Sequence, residues 1–368
     1  MFSVFKGKIM VNKKNVLEML AVVLAFGITV VGFIGCSADG GSGGGGGSGE
    51  GERFELGPFV WTLVPSSTFK SPILAIAYGN GKFVAAGEDY INNEYRTKIA
   101  YSTNGTSWTV ATMERGFGDD TIYAITYGGG HFIAGGSGGK IAYSSDGINW
   151  GTETQYVLTY IDAIAYGNGK FVAGGGRGDK IMAYSSDGID WKAATQSCFE
   201  PSSNATDRIY AIVYGNGKFV AVGGTRGLDM KGKMAYSSDG MNWITVNDNS
   251  IFSTSIIKTI AYGNDKFVAV GNSGKVAYSS DGINWKAATQ SILGSSDAYI
   301  VTVAYGGGKF VAVISEDEGG DKMAYSSDGI NWSDTFSSPL AEPIDITYGN
   351  GKFVVGNVDG KIAAGVFK

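Results

Sequence analysis

The sequence predicts an all-β fold, a β-propeller of seven four-stranded antiparallel blades, from three observations: two recurring phrases and the number of tryptophans. The phrase Tyr-Gly-x-x-Lys-Phe recurs along the chain, with His131 in place of the lysine in one copy, at Tyr78, Tyr127, Tyr166, Tyr214, Tyr262, Tyr305 and Tyr348. Successive copies lie 49, 39, 48, 48, 43 and 43 residues apart. A second phrase, Tyr-Ser-Ser-Asp-Gly-x-x-Trp, follows most copies. A period in the forties with several short strands per repeat is typical of propeller blades.

The elements of one blade can be derived from the third repeat. Residues 161–166 are short and apolar and form the predicted inner strand A, and residues 167–169, Gly-Asn-Gly, form a hairpin turn because Asn and Gly tolerate positive φ. Strands B, C and D are predicted at residues 170–173, 180–185 and 191–195. Strands of about five residues joined by Gly-rich turns fit a four-stranded blade.

The second phrase forms a turn between strands C and D. Its Asp can accept backbone N–H bonds within the turn, its Gly supplies the unusual backbone angle, and its Trp fills the space between blades. A group that is repeated in nearly every blade does not define one active centre, so these residues are interpreted as structural. The turn positions are Asn104, Asp146, Asp187, Asp239, Asp281 and Asp328.

The two ends of the repeat region complement each other. Residues 361–367 match strand C without a following tryptophan, whereas residues 58–64 look like a strand D without a preceding strand C. We therefore expect the N-terminal strand to pair with the C-terminal blade and close the ring, which leaves no open sheet edge. Each blade then has one tryptophan: Trp61, Trp108, Trp150, Trp191, Trp243, Trp285 and Trp332.

Residues 1–52 differ in composition from the repeats. Lysines precede an apolar run from Met19 to Ile34, with Met1 or Met10 as the start, which predicts a signal segment over residues 1–35. Residues 36–52 are rich in Gly and Ser and predict a flexible tether of about 20–25 Å, followed by the propeller at residues 53–368. The alternative for the apolar run is a retained signal anchor, although its 16 residues are short for a membrane span of roughly 20.

The residues Phe33-Ile34-Gly35-Cys36 resemble a bacterial lipobox, with Phe33 in place of the usual Leu. The resemblance implies that the signal peptide is removed, that Cys36 is lipidated, and that the protein is anchored in the bacterial cell envelope. Ser37 after Cys36 favours, by the same resemblance, the outer membrane or the cell surface. The membrane is then contacted through the lipid anchor only.

Charge and residue counts exclude several classes of function. Removal of residues 1–35 leaves a formal net charge of −8, which disfavours nucleic acid as a partner. Cys198 has no predicted disulfide partner. A single histidine, His131, argues against nucleophilic triads and zinc sites. The acidic residues around Glu316 lack the alternating spacing of a calcium loop, so no metal and no cofactor are expected.

The Ser-x-Asp-Gly-x-x-Trp turns resemble the Asp-box, or bacterial neuraminidase repeat, of sialidases and several other propeller families. The resemblance implies a propeller over the whole repeat region, from Phe54 to Lys368. Sialidase turns have a residue between Asp and Gly, and this chain has none. In those families the turn lies on the face opposite the active site.

The connections between strands divide the predicted disc into two faces. The A–B and C–D turns barely vary between repeats and form a uniform face, whereas the B–C loops and D–A crossings differ in length and charge and form a variable face. Binding residues commonly lie in variable loops on a rigid frame, and Arg pairs well with carboxylates. The candidate ligand-binding residues are Arg96, Arg115, Arg177, Arg208, Arg226, Glu88, Glu114, Tyr90 and Tyr95.

Three functions remain open at this point. The preferred one is a lipid-anchored, non-catalytic, adhesin-like binding protein with a monomeric body, whose partner is an extracellular or envelope protein or a glycan. The second is a glycoside hydrolase similar to sialidases, which would need two opposed carboxylates. The third is a scaffold for envelope assembly. No catalytic residue is assigned.

Overall fold

The computed structural model describes residues 51–65, 68–91, 94–114, 117, 120–153, 157–176, 180–195, 199, 207–225, 230–247, 250–289, 299–316 and 320–368. The predicted signal segment, the lipidation site Cys36 and nearly all of the tether lie outside these residues. Residues Glu50–Lys368 form one compact unit. The part of the chain from Gly51 onward that is described contains no helix long and apolar enough to cross a membrane.

Seven antiparallel sheets of four or five strands confirm the predicted seven-bladed propeller. The innermost strands, A, are, from blade 1 to blade 7, Ile73–Gly79, Ile122–Gly128, Ala163–Gly167, Asp207–Gly215, Ile257–Gly263, Tyr299–Gly306 and Pro343–Gly349. Strands B are Lys82–Ile91, His131–Gly136, Lys170–Gly174, Lys218–Thr225, Lys266–Gly271, Lys309–Ser315 and Lys352–Asn357. Strands C are Glu94–Ser102, Ile141–Ser144, Met182–Ser185, Gly232–Ser237, Val276–Ser279, Lys322–Ser326 and Ile362–Phe367.

The outer strands D are shorter than the sequence predicts, because only two residues reach the ladder in most blades. They are Thr109–Val110, Asn149–Glu153, Lys192–Ala193, Ile244–Thr245, Lys286–Ala287, Phe336–Ser337 and, for blade 7, Phe59–Leu63. Blade 2 gains a fifth strand, Thr112–Met113, which pairs in parallel with its strand D. A 3-10 turn, Ser250–Phe252, is the one helical element among the described residues.

The ring closes as predicted. Strand Phe59–Leu63 pairs antiparallel with the C-terminal strand, with Phe59 opposite Phe367 and Trp61 opposite Gly365. A further strand, Arg53–Leu56, pairs on its outer edge. The first and last strands of the propeller therefore belong to one sheet, and no blade is left incomplete.

The Tyr-Gly pair of the first phrase has a role that the sequence prediction missed. Gly167, expected in the A–B turn, is the last residue of strand A, and the turn is made by Asn168 and Gly169, with φ of 46° and 71°. A Cβ added at Gly167 would lie 2.0 Å from Cγ of Tyr214 in the next blade. The same contact joins Gly79 to Tyr127 and, across the closure, Gly349 to Tyr78. Each tyrosine therefore packs on the glycine of the preceding blade and fixes the spacing between blades.

The core consists of layers between adjacent blades. The Phe-Val/Ile-Ala/Val segments of strands B are fully buried, and each tryptophan packs between its own blade and a neighbour. Trp191 of blade 3 belongs to a cluster with Ile133 of blade 2, and Trp332 of blade 6 to one with Val268 of blade 5. Burial of large aromatic side chains at every joint makes the ring one cooperative body.

Candidate functional site

The uniform face uses its polar groups within the frame. In the turn of blade 3, the Asp187 carboxylate accepts the N–H groups of Ile189 and Asp190, each at 2.9 Å, and the Ser185 hydroxyl accepts that of Gly188. The N–H bonds from Asp190 and Ile189 lower the pKa of Asp187. In four other turns burial acts to raise the pKa of the carboxyl, but the hydrogen bonds from backbone N–H groups and the Asn side-chain amide lower it by more. The net pKa is lowered for Asp146, Asp239, Asp281 and Asp328.

Neighbouring blades are also joined on this face. The side-chain amide of Asn216, in the A–B turn of blade 4, donates to the carbonyl of Ser280 in blade 5 at 2.9 Å. Asn264 donates in the same way to Ser327 of blade 6, and Asn350 of blade 7 donates to Thr103 of blade 1. The repeated polar residues are therefore engaged in turns and joints, which favours a structural role.

A β-bulge interrupts strand A near the variable face. The register shifts between Ile73 and Ala75 in blade 1, and at the matching place in blades 2, 4, 5, 6 and 7. A bulge adds a residue outside the regular ladder and redirects a side chain. We call the bulged residues, together with Asp162 at the matching place in blade 3, the bulge ring: Leu74, Tyr123, Asp162, Tyr210, Lys258, Val301 and Ile344.

The bulge ring surrounds the mouth of the central channel. Strands A contact one another in sequence around the axis, including blade 7 with blade 1, and all seven bulge-ring residues are half-buried. Tyr123 of blade 2 interacts electrostatically with Arg208 of blade 4, although these blades are not adjacent. Such an interaction requires both side chains to be near the axis, where non-adjacent blades approach each other.

The ring is divided into two arcs. Val301, Ile344 and Leu74, from blades 6, 7 and 1, are consecutive around the axis and form an aliphatic arc. The other four members, from blades 2 to 5, are polar or charged and form a polar arc. This segregation contrasts with the near identity of the surrounding repeats.

The polar arc is organised by Arg208. Its Nε and Nη2 donate to the two carboxylate oxygens of Asp162, at 2.6 and 2.5 Å. The guanidinium carbon lies 5.4 Å from the centre of the Tyr210 ring, and Nζ of Lys258 lies 5.5 Å from the same centre. Burial acts to lower the pKa of Arg208, but the Asp162 carboxylate outweighs it and raises that pKa. Two cations are thus held at one aromatic ring at the mouth.

Glu88 extends this network from blade 1. It is 3% exposed, and its Oε1 accepts the hydroxyl of Thr121 at 2.5 Å. Burial raises its pKa despite that bond. Burial likewise raises the pKa of the neighbouring Tyr123. The carboxyl of Glu88 is therefore easier to protonate than that of a solvent-exposed glutamate.

Asp345, one position beyond the bulge of blade 7, lies at the joint between the last and first blades. Its oxygens accept the N–H of Ile76 in blade 1 at 2.8 Å and that of Ile346 at 2.9 Å. Asp345 retains some exposed surface, but protein surrounds its carboxyl, and this desolvation raises its pKa to about 7. No cation among the described residues forms a salt bridge with it. The matching residues of the other blades are Ala75, Ala124, Ala163, Ala211, Thr259 and Thr302.

The variable face also has a regular component that the sequence analysis overlooked. A lysine stands near the start of strand C in every blade: Lys98, Lys140, Lys180, Lys233, Lys275, Lys322 and Lys361. Five of these lysines form salt bridges with acidic residues on the same side of the blades, some in the connections and some in strands A or B, for example Lys140 with Asp120 and Lys233 with Asp207, each at 2.6 Å. These charges are therefore paired locally.

The structure brings two of the predicted ligand-binding residues, Arg208 and Glu88, to the mouth of the channel. Tyr95 and Arg96 are exposed on the long B–C hairpin of blade 1, and Glu114 is exposed after blade 1. The side chain of Tyr90 and the residues Arg115, Arg177 and Arg226 lie outside the described residues, as do Cys198, Asp317 and Glu318. Within the described ranges, no three His, Cys, Asp or Glu residues converge in a way that could hold a metal ion.

Sequence reasoning missed Tyr123, Asp162, Tyr210, Lys258 and Asp345. For the first four the signal was present, because the residue after the first Ile near the start of strand A varies between repeats that are otherwise constant. Asp345 is marked in the same way by an acidic residue where the other repeats have Ala or Thr. The signal was overlooked because a regular strand would direct alternate residues to opposite faces, and only the bulge identifies which one turns to the mouth.

Comparison with known protein families identifies the family of this chain. Residues 59–293 match the DUF6242 beta propeller domain, and since this is more than half of the chain, the protein belongs to that family. No curated protein matches the chain.

Solved structures share the fold at low identity. The structure of YCF48 bound to D1 peptide is 14% identical, with a TM-score of 0.61, over 86% of this chain and 98% of that one. YCF48 from Cyanidioschyzon merolae is 15% identical, with a TM-score of 0.58, over 83% and 98%. A catalytically inactive virginiamycin B lyase from Staphylococcus aureus with quinupristin is 12% identical, with a TM-score of 0.64, over 84% and 100%. At these identities the likeness shows the fold alone.

Proposed function

We propose that this protein is a non-catalytic binding protein that holds a protein partner at the variable face, around the mouth of the central channel. The carrying observation is the divided bulge ring, in which a polar arc from four blades faces an aliphatic arc from three. Ligand sites combine apolar surface with a few placed polar groups, and this mouth provides both. The YCF48 structure, a propeller solved with a peptide, supports a protein as the kind of partner.

A non-catalytic role is consistent with the salt bridges that the charged groups already form. The fork of Arg208 is already bound to Asp162, so it is not poised to clamp the carboxylate of an acidic sugar. Five of the lysines near the start of strand C form salt bridges with acidic residues. The observation that favours the hydrolase instead is Glu88, a buried carboxyl with a raised pKa near Tyr123.

The lipid anchor and the location in the cell envelope are part of the same proposal and rest on residues 33–36. Replacement of Cys36 by Ala should move the protein from the membrane fraction to the soluble fraction and abolish labelling with a fatty-acid analogue. Unchanged membrane retention would refute lipidation and favour the signal anchor.

The binding function is tested with the purified full chain on an array of envelope proteins, extracellular matrix proteins and glycans. We expect it to retain at least one protein. Retention of glycans alone would contradict a protein partner, and glycan cleavage that disappears in Glu88→Gln would establish the hydrolase. No retention of any protein would refute the proposed function.

A further inference from the structure

The outermost strand of blade 7, Arg53–Leu56, is the longest outer edge among the described sheets. We call it the edge strand. On their outer sides the other six sheets end in strands of two residues. A row of unpaired backbone N–H and C=O groups along a strand is a template for pairing with another chain. Within the described part of the chain, only blade 7 therefore has an outer edge long enough to pair with a further strand.

One hydrogen bond at the end of the edge strand determines which backbone groups point outward. The N–H of Leu63 donates to the carbonyl of Glu52 at 2.9 Å. Because alternate residues of an antiparallel pair bond to the partner strand, Glu52 and Phe54 direct their N–H and C=O groups inward. Arg53 and Glu55 direct theirs outward, and both residues are exposed. The outer edge therefore presents the backbone groups of two charged residues.

The side chains of the edge strand also alternate. Phe54 and Leu56 pack on the core between blades 6 and 7, which holds the strand in the sheet. Arg53 and Glu55 carry opposite charges on the other face. Charged residues on an edge commonly protect it against pairing. Since these two charges differ in sign, they disfavour only the pairings that bring like charges together.

A second copy of the edge strand, in antiparallel orientation, matches the first in one register. Outward residues must stand opposite outward residues, so Arg53 can face Arg53, Glu55 can face Glu55, or Arg53 can face Glu55. The first two registers place like charges directly opposite each other, which destabilises a strand pair. The third places each Arg53 opposite the Glu55 of the other copy, and Phe54 opposite Phe54. The edge is thus complementary in charge to itself.

We propose that two copies of this chain pair through their edge strands and extend the sheet of blade 7 across both molecules. Each Arg53–Glu55 position exchanges two backbone hydrogen bonds and forms an ion pair. Glu55 also bonds to Lys368 at 2.5 Å, so it lies between two cations in the pair. An edge of four residues is short beside the roughly 20–30 residues a side of a stable interface, so the dimer is reversible. This dimer differs from the monomeric body that the sequence analysis expects.

The test measures how much of one tagged full chain is captured by a full chain with a different tag, over a range of concentrations. We expect the wild type to capture itself in a concentration-dependent way. Arg53→Glu and Glu55→Arg should each weaken self-capture about tenfold or more, because each places like charges opposite each other at both positions. No self-capture of the wild type, or undiminished self-capture of both variants, would overturn the proposal.

A mixture of the two variants tests the register. Arg53→Glu leaves two acidic residues on the outer face of the edge strand and Glu55→Arg leaves two basic ones, so each variant should capture the other about as strongly as the wild type captures itself. Failure of the folded variants to capture each other would refute this register.

The control is Lys286→Glu, a charge reversal at an exposed residue of the two-residue outer strand of blade 5. It should leave self-capture unchanged, and a loss equal to that of Arg53→Glu would show a general charge effect and refute the edge strand as the interface. Thermal melting confirms that each variant is folded. If one edge variant is not, the self-capture of the other still decides the proposal.

Discussion

Two sets of carboxyls, one on the uniform face and one on the variable side of the propeller, have opposite environments. On the uniform face, turn carboxylates such as Asp187 and Asp281 accept N–H groups, and their pKa values are lowered. On the variable side, Glu88 at the mouth and Asp345 at the joint between the last and first blades are desolvated without a salt-bridge partner among the described residues, and their pKa values are raised. Stabilising groups are thus repeated on one face, while the other carries individual, desolvated groups of the kind found at functional sites.

The contact between adjacent blades provides the test with the largest expected effect on stability. Gly167→Ala would place a Cβ against Tyr214, and we expect the free energy of unfolding to fall by about 3 kcal/mol. Gly169→Ala is the control, because its Cβ would enter open space and only the φ of 71° is unfavourable, at a cost of about 1 kcal/mol. Denaturant unfolding measures both. Equal effects would show that the Tyr-Gly contact does not fix the blades.

Asp345 tests the opposite pH dependence of stability from that of the turn carboxylates, because its pKa is raised and theirs are lowered. Its folded pKa of about 7 lies above its ordinary value of 3.8, so the folded protein binds the proton more tightly than the unfolded chain. Its contribution to stability is therefore fully present below pH 3.8 and is lost as the pH rises towards 7. The slope is at most about 1.4 kcal/mol per pH unit.

Asp345→Asn should flatten the decline in stability between about pH 4 and 7. Glu88 acts in the same direction, so part of the slope should remain until Glu88→Gln is added. The exposed turn residue Asp265 provides a control, and Asp265→Asn should leave the slope intact. Identical slopes in the wild type and in Asp345→Asn would contradict a desolvated carboxyl at this joint.

The smallest expected change is on the uniform face. Asp187→Ala removes two accepted N–H bonds and should lower stability by about 0.5–2 kcal/mol, as the loss of a capping carboxylate does. Because the folded pKa of Asp187 is lowered, its contribution is present above pH 4 and is lost as the pH falls. Binding by the surviving protein should be unchanged, and a binding loss at unchanged stability would place function on this face.

The sequence predicted the fold because its signals are local and repeated. The tryptophan count placed Trp61 in the last blade, and strand pairing confirms that placement. The Tyr-Gly contact was missed because Gly167 and Tyr214 are neighbours only between blades. The pair Arg208–Asp162 joins residues 46 positions apart, and the bulge that exposes Lys258 is a feature of strand register rather than of composition. Repetition thus predicts the frame, whereas the site depends on departures from it.

The most direct measurement compares Lys258→Glu with Lys266→Glu for retention of the partner protein by the full chain. The two lysines belong to the same blade, and replacement of either one by Glu makes the same change in net charge, on opposite faces. The account predicts that Lys258→Glu loses the partner and that Lys266→Glu retains it. Retention by both variants, or loss only in Lys266→Glu, would contradict binding at the mouth of the variable face.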